Sequence, residues 1–166
     1  EPLASLSRLH ALSCTGLRFV GDVKPLSQCC SLRTLNCSSM TRVTSLQPLA
    51  ALGLEVLDCA SCCVDDVGFL AGLTSLHSLR CAGVKHPDIL RPLAKLSKLV
   101  NLECSGCDGI DSLQPLAALT SLKFLACCGC VGVSSLQPLS HLSRLVHLDC
   151  LDCSGVTSLE ALAGLN

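Results

Sequence analysis

Along this chain a leucine and a cysteine recur at fixed spacing among polar residues. Leu12, Leu35, Leu57, Leu79, Leu102, Leu125 and Leu148 are each followed, two residues on, by Cys14, Cys37, Cys59, Cys81, Cys104, Cys127 and Cys150. A further leucine stands five residues before every one of these cysteines. Successive cysteines are 23, 22, 22, 23, 23 and 23 residues apart, so a single unit is repeated along the chain. Residues 99 to 121, LVNLECSGCDGIDSLQPLAALTS, show the grammar. Leu102 and Cys104 alternate with Asn101, Glu103 and Ser105, the period of two that predicts a short strand with one buried face. Gly106 and Cys107 end the strand and Ile110 turns back inside. Leu113, Leu116 and Leu119 then follow at steps of three, which with Pro115 predicts a tight helical or 3₁₀ turn. The same order returns in residues 41 to 52, 88 to 96 and 132 to 142. The units starting at Leu32 and Leu54 are a residue shorter, the first before Leu54 and the second between Cys63 and Val67, so turn geometry is expected to vary there.

One unit cannot fold alone. Burying about six aliphatic side chains contributes on the order of 10 kcal/mol, whereas ordering each residue costs about 1.5 kcal/mol. Stacking is therefore obligatory and predicts an α/β solenoid with one strand per unit in a parallel sheet. Because the turn side is bulkier than the strand side, the stack is expected to curve with the sheet on the concave face and the turns on the convex face. Residues 1–166 read as one domain of about seven repeats, and Pro2 to Leu6 read as the tail of a preceding repeat, as in a stretch of a longer array.

The pattern LxxLxCxxC followed by VxSLxPLAxL resembles the leucine-rich repeat family over essentially the whole chain. The tail SLQPLAALTSL is most similar to the short repeats of bacterial internalins and of the leucine-rich regulatory subunit of protein phosphatase 1. The cysteine-rich variants CSGCDGIDSLQPLAALTSL and CSGVTSLEALAGL also resemble leucine-rich proteins of kinetoplastids. In the internalin-like repeats an Asn usually stands where Cys107 stands here. The resemblance implies a curved horseshoe that binds other proteins and carries no cofactor.

Composition sharpens this picture in three places. With three Phe, one Met and no Tyr or Trp, the core must be aliphatic. A formal net charge of −1, without long basic runs, gives no electrostatic basis for direct nucleic-acid or membrane binding. The fifteen cysteines raise the question of metal, since Cys59/Cys62, Cys104/Cys107, Cys127/Cys130 and Cys150/Cys153 are CxxC pairs. Repeat register answers it: the second cysteine of each pair shares its slot with Leu17, Met40 and Val84, which are no ligands. The cysteines therefore read as small core hydrophobes whose thiols bond turn carbonyls, as the family's asparagines do. In-register Cβ atoms about 4.8 Å apart are too distant for ready disulfides, and so many thiols point to a reducing, cytoplasmic compartment. Cys29 reads as core, Cys30 and Cys63 as turn residues, and Cys128 as a residue of the strand face. The glycines at 16, 83, 106 and 129 share one slot at the strand exit, and the five histidines are scattered without a nucleophile or carboxylate in recurrent geometry.

The outward strand positions form three columns. Ala11, Thr34, Val56, Ser78, Asn101, Phe124 and His147 make the first, and Ser13, Asn36, Asp58, Arg80, Glu103, Ala126 and Asp149 the second. The third is Thr15, Ser38, Ala60, Ala82, Ser105, Cys128 and Leu151. Most are small or polar. Phe124, Ala126, Cys128 and Leu151 form an apolar spot beside His147 and Asp149, with Asp58, Arg80 and Glu103 as a charged stripe upstream. An aromatic residue rimmed by charge is the composition of an interface anchor, and these residues are the candidate partner-binding site for another protein or peptide. No catalytic, cofactor or metal site is expected. A scaffold subunit of a cytoskeletal or ribonucleoprotein assembly, and a targeting or regulatory segment of a larger enzyme, remain open beside the interaction-module reading.

Overall fold

The protein is described by a computed structural model that covers residues 6–165, so the expectation placed on Pro2 to Ser5 lies outside the described residues. Seven three-residue strands appear where the alternation places them: β1 (Ala11–Ser13), β2 (Thr34–Asn36), β3 (Val56–Asp58), β4 (Ser78–Arg80), β5 (Asn101–Glu103), β6 (Phe124–Ala126) and β7 (His147–Asp149). They form one open, all-parallel sheet in sequence order. The central leucines pair with one another from Leu12↔Leu35 through Leu125↔Leu148, and the residues on either side pair in the same register. Each strand returns to the next through a 3₁₀ turn, three residues long in the QPL units, as at Gln114–Leu116, and five long at Lys24–Gln28, Gly68–Gly72 and Arg91–Lys95. The shortened second and third units are joined on the turn side by an extra parallel bridge between Ser45 and Asp66.

Two devices hold the units in line. At the strand exit the ladder cysteine's N–H donates to the next repeat, as from Cys37 to the Asp58 carbonyl at 2.8 Å. Two residues later the chain enters the left-handed region in every unit, at Gly16, Ser39, Ser61, Gly83, Gly106, Gly129 and Asp152, with φ between 57° and 69°. That turn aims a second amide at the neighbour, as from Gly106 to the Cys128 carbonyl at 2.7 Å. The second device starts the 3₁₀ turns. Ser45, Ser112, Ser135 and Ser158 accept through Oγ from the amides two residues on, at 3.1–3.3 Å. Asp22 and Asp66 do the same through a carboxylate oxygen at 2.7 and 2.8 Å. The serine of SLQPL is thus a local hydrogen-bond acceptor, which short polar side chains supply in turns.

Between sheet and turns lies an aliphatic core in which Leu35, Leu57, Leu79, Leu102 and Leu125 are fully buried. Among the described residues no polar or charged side chain is buried. Ladder cysteines 37, 59, 81, 104 and 127 are buried with them, while Cys14 and Cys150, in the first and last units, are half-buried. Phe69 fills the core of the third unit at 2 % exposure.

The shared left-handed slot is a direct test of this backbone. A Cβ added at Gly106 would meet nothing within 4 Å, so the substitution Gly106→Ala acts through φ alone. It should destabilise by about 1–2 kcal/mol, the cost of holding an L-residue in that region. Ser61→Gly should instead stabilise by about 0.5 kcal/mol, the strain relieved less the entropy of the extra glycine. Urea midpoints of the two variants, moving in opposite directions, check both.

Candidate functional site

The three outward columns stand on the strand face in the register expected of them. Phe124 and His147 are paired residues of β6 and β7. Their rings lie parallel, 1° apart in plane and 4.6 Å between centroids. Phe124 is half-buried and His147 exposed, so the pair forms a raised aromatic step on the sheet. Leu151, at 67 % exposure, extends the apolar surface past the end of β7. Ala126 does not contribute as expected. It is only 6 % exposed, because its methyl sits between the longer Glu103 and Asp149 of the adjacent strands.

The charged stripe is partly used by the fold. Asn36, Asp58 and Asp149 each accept, through a side-chain oxygen, from the amide two residues on: Ser38 at 3.0 Å, Ala60 at 3.1 Å and Leu151 at 3.2 Å. Asp58 and Asp149 therefore brace the strand exit as well as charging the surface. The Cys128 thiol, half-buried beside Asp149, contacts the Asp149 carbonyl at 3.9 Å. Hydrogen bonding from Cys128 and from the Leu151 amide holds the Asp149 carboxyl below the usual carboxylate range, and bonding to Asp149 pushes the Cys128 thiol up. Arg80 projects between its neighbours, its side chain 61 % exposed, with Nε 3.2 Å from Glu103 Oε2 and 3.9 Å from Asp58 Oδ2. Exposed pairs of this kind add little to stability and leave their groups available to a partner.

Beside the aromatic step is a notch of about 360 Å³, lined by Ser78, Arg80, Asn101, Glu103 and Phe124 with the backbone of β4 and β5 beneath. Sequence reasoning placed Ser78 and Asn101 on this face but passed over them as site residues. What makes them matter is their small size beside Phe124, which opens the notch. Phe19, at 87 % exposure, was also missed; it lies on the turn side near exposed Leu17 and Val20, with the Arg42 guanidinium 5.4 Å from its ring centroid. Of the histidines, His86 accepts from the Asp88 amide through Nδ1 at 3.1 Å, a turn role like that of the serines.

The thiols associate across repeats. Exit cysteines 62, 107, 130 and 153 donate to the carbonyls of ladder cysteines 37, 81, 104 and 127 in the preceding repeat, at 3.1–3.5 Å. Each exit thiol is thus directed past its own CxxC partner to a diagonal neighbour 25 or 26 residues away. Hydrogen bonding to the diagonal thiol and burial push Cys37, Cys81 and Cys104 upward, while burial leads the rise at Cys59 and Cys127. The same hydrogen bonds hold the exit thiols Cys62, Cys107 and Cys130 below the ordinary thiol range, Cys62 and Cys130 at about 7. None of the ladder or exit cysteines is disulfide-bonded. Among the described residues no group of three or more His, Cys, Asp or Glu is placed to hold a metal ion, and no helix is long and apolar enough to cross a membrane.

Stacked strand–3₁₀ units with a leucine at each strand centre define a repeat solenoid. The chain's architecture is that of a leucine-rich repeat solenoid. Its fold is similar to that of internalin C2 from Listeria monocytogenes, at a TM-score of 0.77 and 31% identity over 90% of this chain and 64% of that one. It is also similar to the internalin inlF of the same organism, at a TM-score of 0.71 and 24% identity over 99% of this chain and 61% of that one. The functional domain of Listeria monocytogenes InlJ, which includes a cysteine ladder, shares the fold at a TM-score of 0.60 and 22% identity, covering 88% of this chain and 40% of that one. This chain spans less than two thirds of the length of each. No family model and no curated protein matches its sequence. The likeness to the phosphatase subunit and to kinetoplastid proteins is not addressed by these structures.

Thiol accessibility tests the cysteine assignments. In the native protein near neutral pH, Cys30 and Cys63 should react rapidly with a maleimide and the five buried ladder thiols only on unfolding. Mass spectrometry of timed labelling reads this directly, and rapid labelling of Cys81 or Cys104 would contradict it. At the exit position Cys107→Asn, which keeps a donor for the Cys81 carbonyl, should preserve more stability than Cys107→Ala, with a difference of about 1 kcal/mol in denaturant titration.

Proposed function

We propose that this solenoid is a non-catalytic protein-interaction module whose strand face, concave in a stack with bulkier turns, is the docking surface. The observation that carries the reading is the aromatic step of Phe124 and His147, flanked by exposed Leu151 on a face otherwise built of small and polar residues. A rigid aromatic pair offers a partner a large contact at low entropic cost, and such anchors dominate interface energies. Asp149 and Cys128 edge this platform, while Asp58, Arg80 and Glu103 tune encounter and register. The partner is a protein or peptide. Nothing in the charge pattern favours nucleic acid or membrane. A catalytic role has little support, since the buried ladder thiols ionise with difficulty and the histidines have structural or scattered settings. Fifteen cysteines favour a reducing compartment such as the cytoplasm.

A second reading, a scaffold subunit built into a larger assembly, draws on exposed Phe19 with Leu17 and Val20 on the turn side. The two separate by experiment. Partners captured by the full chain and identified by mass spectrometry should be lost or weakened at least fivefold by Phe124→Ala, a truncation that typically costs more than about 1 kcal/mol at an interface centre. Reversing Arg80 and Glu103 should change binding modestly, and less at high salt. Full retention in these variants, with release by Phe19→Ala, would favour the scaffold.

A further inference from the structure

We infer that the notch beside Phe124 receives a basic side chain of the bound protein segment, a guanidinium in preference to an ammonium. This rests on the strand face being the docking surface. The notch exists because the small Ser78 and Asn101 follow Val56 and precede Phe124 in the outer column, leaving a depression two strands wide. Its chemistry selects among guests. Ser78 and Asn101 make no side-chain hydrogen bond among the described residues, so Ser78 Oγ and Asn101 Oδ1 stand ready as acceptors. Glu103 is bonded by Arg80 through Oε2 alone, which leaves Oε1 for a second donor. Phe124 has one ring face covered by His147, and its flank toward Asn101 and Glu103 borders the notch.

Three carboxylates, Asp58, Glu103 and Asp149, stand on the outward columns against one guanidinium, Arg80. A carboxylate guest meets net repulsion, relieved only by an Arg80 already engaged on both sides. A purely apolar guest would bury Glu103 Oε1 and Asn101 Oδ1 without donors. A guanidinium satisfies all of them. It is planar, stacks on an aromatic surface, and its five N–H groups reach carboxylate, amide and hydroxyl acceptors together, whereas an ammonium is more strongly hydrated and cannot stack. Arg80 already neutralises part of the Glu103 charge through Oε2, so it competes electrostatically with the incoming cation.

That competition gives the test a sign. The full chain is immobilised and a random peptide display library is panned on it. Selected peptides are then synthesised and their affinities for the wild type, Phe124→Ala, Glu103→Gln and Arg80→Ala proteins measured by fluorescence anisotropy, folding being checked by circular dichroism. The expected result is enrichment of arginine, followed by lysine, at one position. Affinity should fall at least tenfold in Phe124→Ala and several-fold in Glu103→Gln, and rise several-fold in Arg80→Ala. Peptides that depend on Phe124 but lack a basic residue, or that lose affinity when Arg80 is removed, would overturn the basic-guest assignment and leave the strand face as the docking surface. Peptides indifferent to Phe124 would overturn the docking surface itself. Recovery of no peptide above background would count against the notch as a side-chain site.

Discussion

The hydrogen bond from one repeat to the next is the constraint on which the molecule depends. Each strand is three residues long, too short to persist alone, and its amides have no acceptor within their own unit. The ladder amide and the amide two residues beyond it both donate to the following repeat, at 2.7–2.9 Å along the whole array. These bonds fix the register, and the register turns the strand-centre leucines toward the core and the residues flanking them toward the outer face. A slip of one residue would exchange the two sets. The left-handed residue at the strand exit is the geometric condition for the second of these bonds. Its φ is conserved within the array even where serine or aspartate replaces glycine.

From that register the surface follows. Phe124 and His147 stack because parallel pairing sets them side by side, and Arg80 meets Asp58 and Glu103 because it stands between them on the central strand. The same lattice makes the site linear: neighbouring columns differ by two residues along the strand and neighbouring rows by one repeat. Recognition here is a pattern across a ladder, with the notch as one local deepening of it.

Much of this is legible in the sequence, and the reason is periodicity. The two-residue alternation around Leu102 and its equivalents states which side chains face out, and repetition removes the usual ambiguity of short strands. The three-residue steps and Pro115 foretell the 3₁₀ turn, and the slot shared with Leu17, Met40 and Val84 reveals the structural role of the CxxC pairs. What periodicity does not convey is the offset between adjacent repeats. The diagonal association of Cys62 with Cys37 depends on how far the strand exit leans over its neighbour, and sequence spacing instead suggests Cys62 with Cys59. Local polar geometry is equally hidden: Asp58 and Asp149 read as free surface charge, yet each also braces a turn amide. Phe19 escaped notice because it lies outside the alternating strand, where no pattern marks the exposed side.

The lateral bonds also decide how the array answers mechanical load. They run along the stacking axis, nearly perpendicular to each strand, so tension applied to the two ends of the stack opens them in succession and not all together. Each unit contributes the same small set of bonds to its neighbour. The force needed to peel one repeat is then nearly the same for the next, and the protein extends in steps of about one repeat at a roughly constant load. A solenoid of this build behaves as a compliant tether, and the thiol pairs that bridge adjacent units on the diagonal lie across the very seams that such a pull would open.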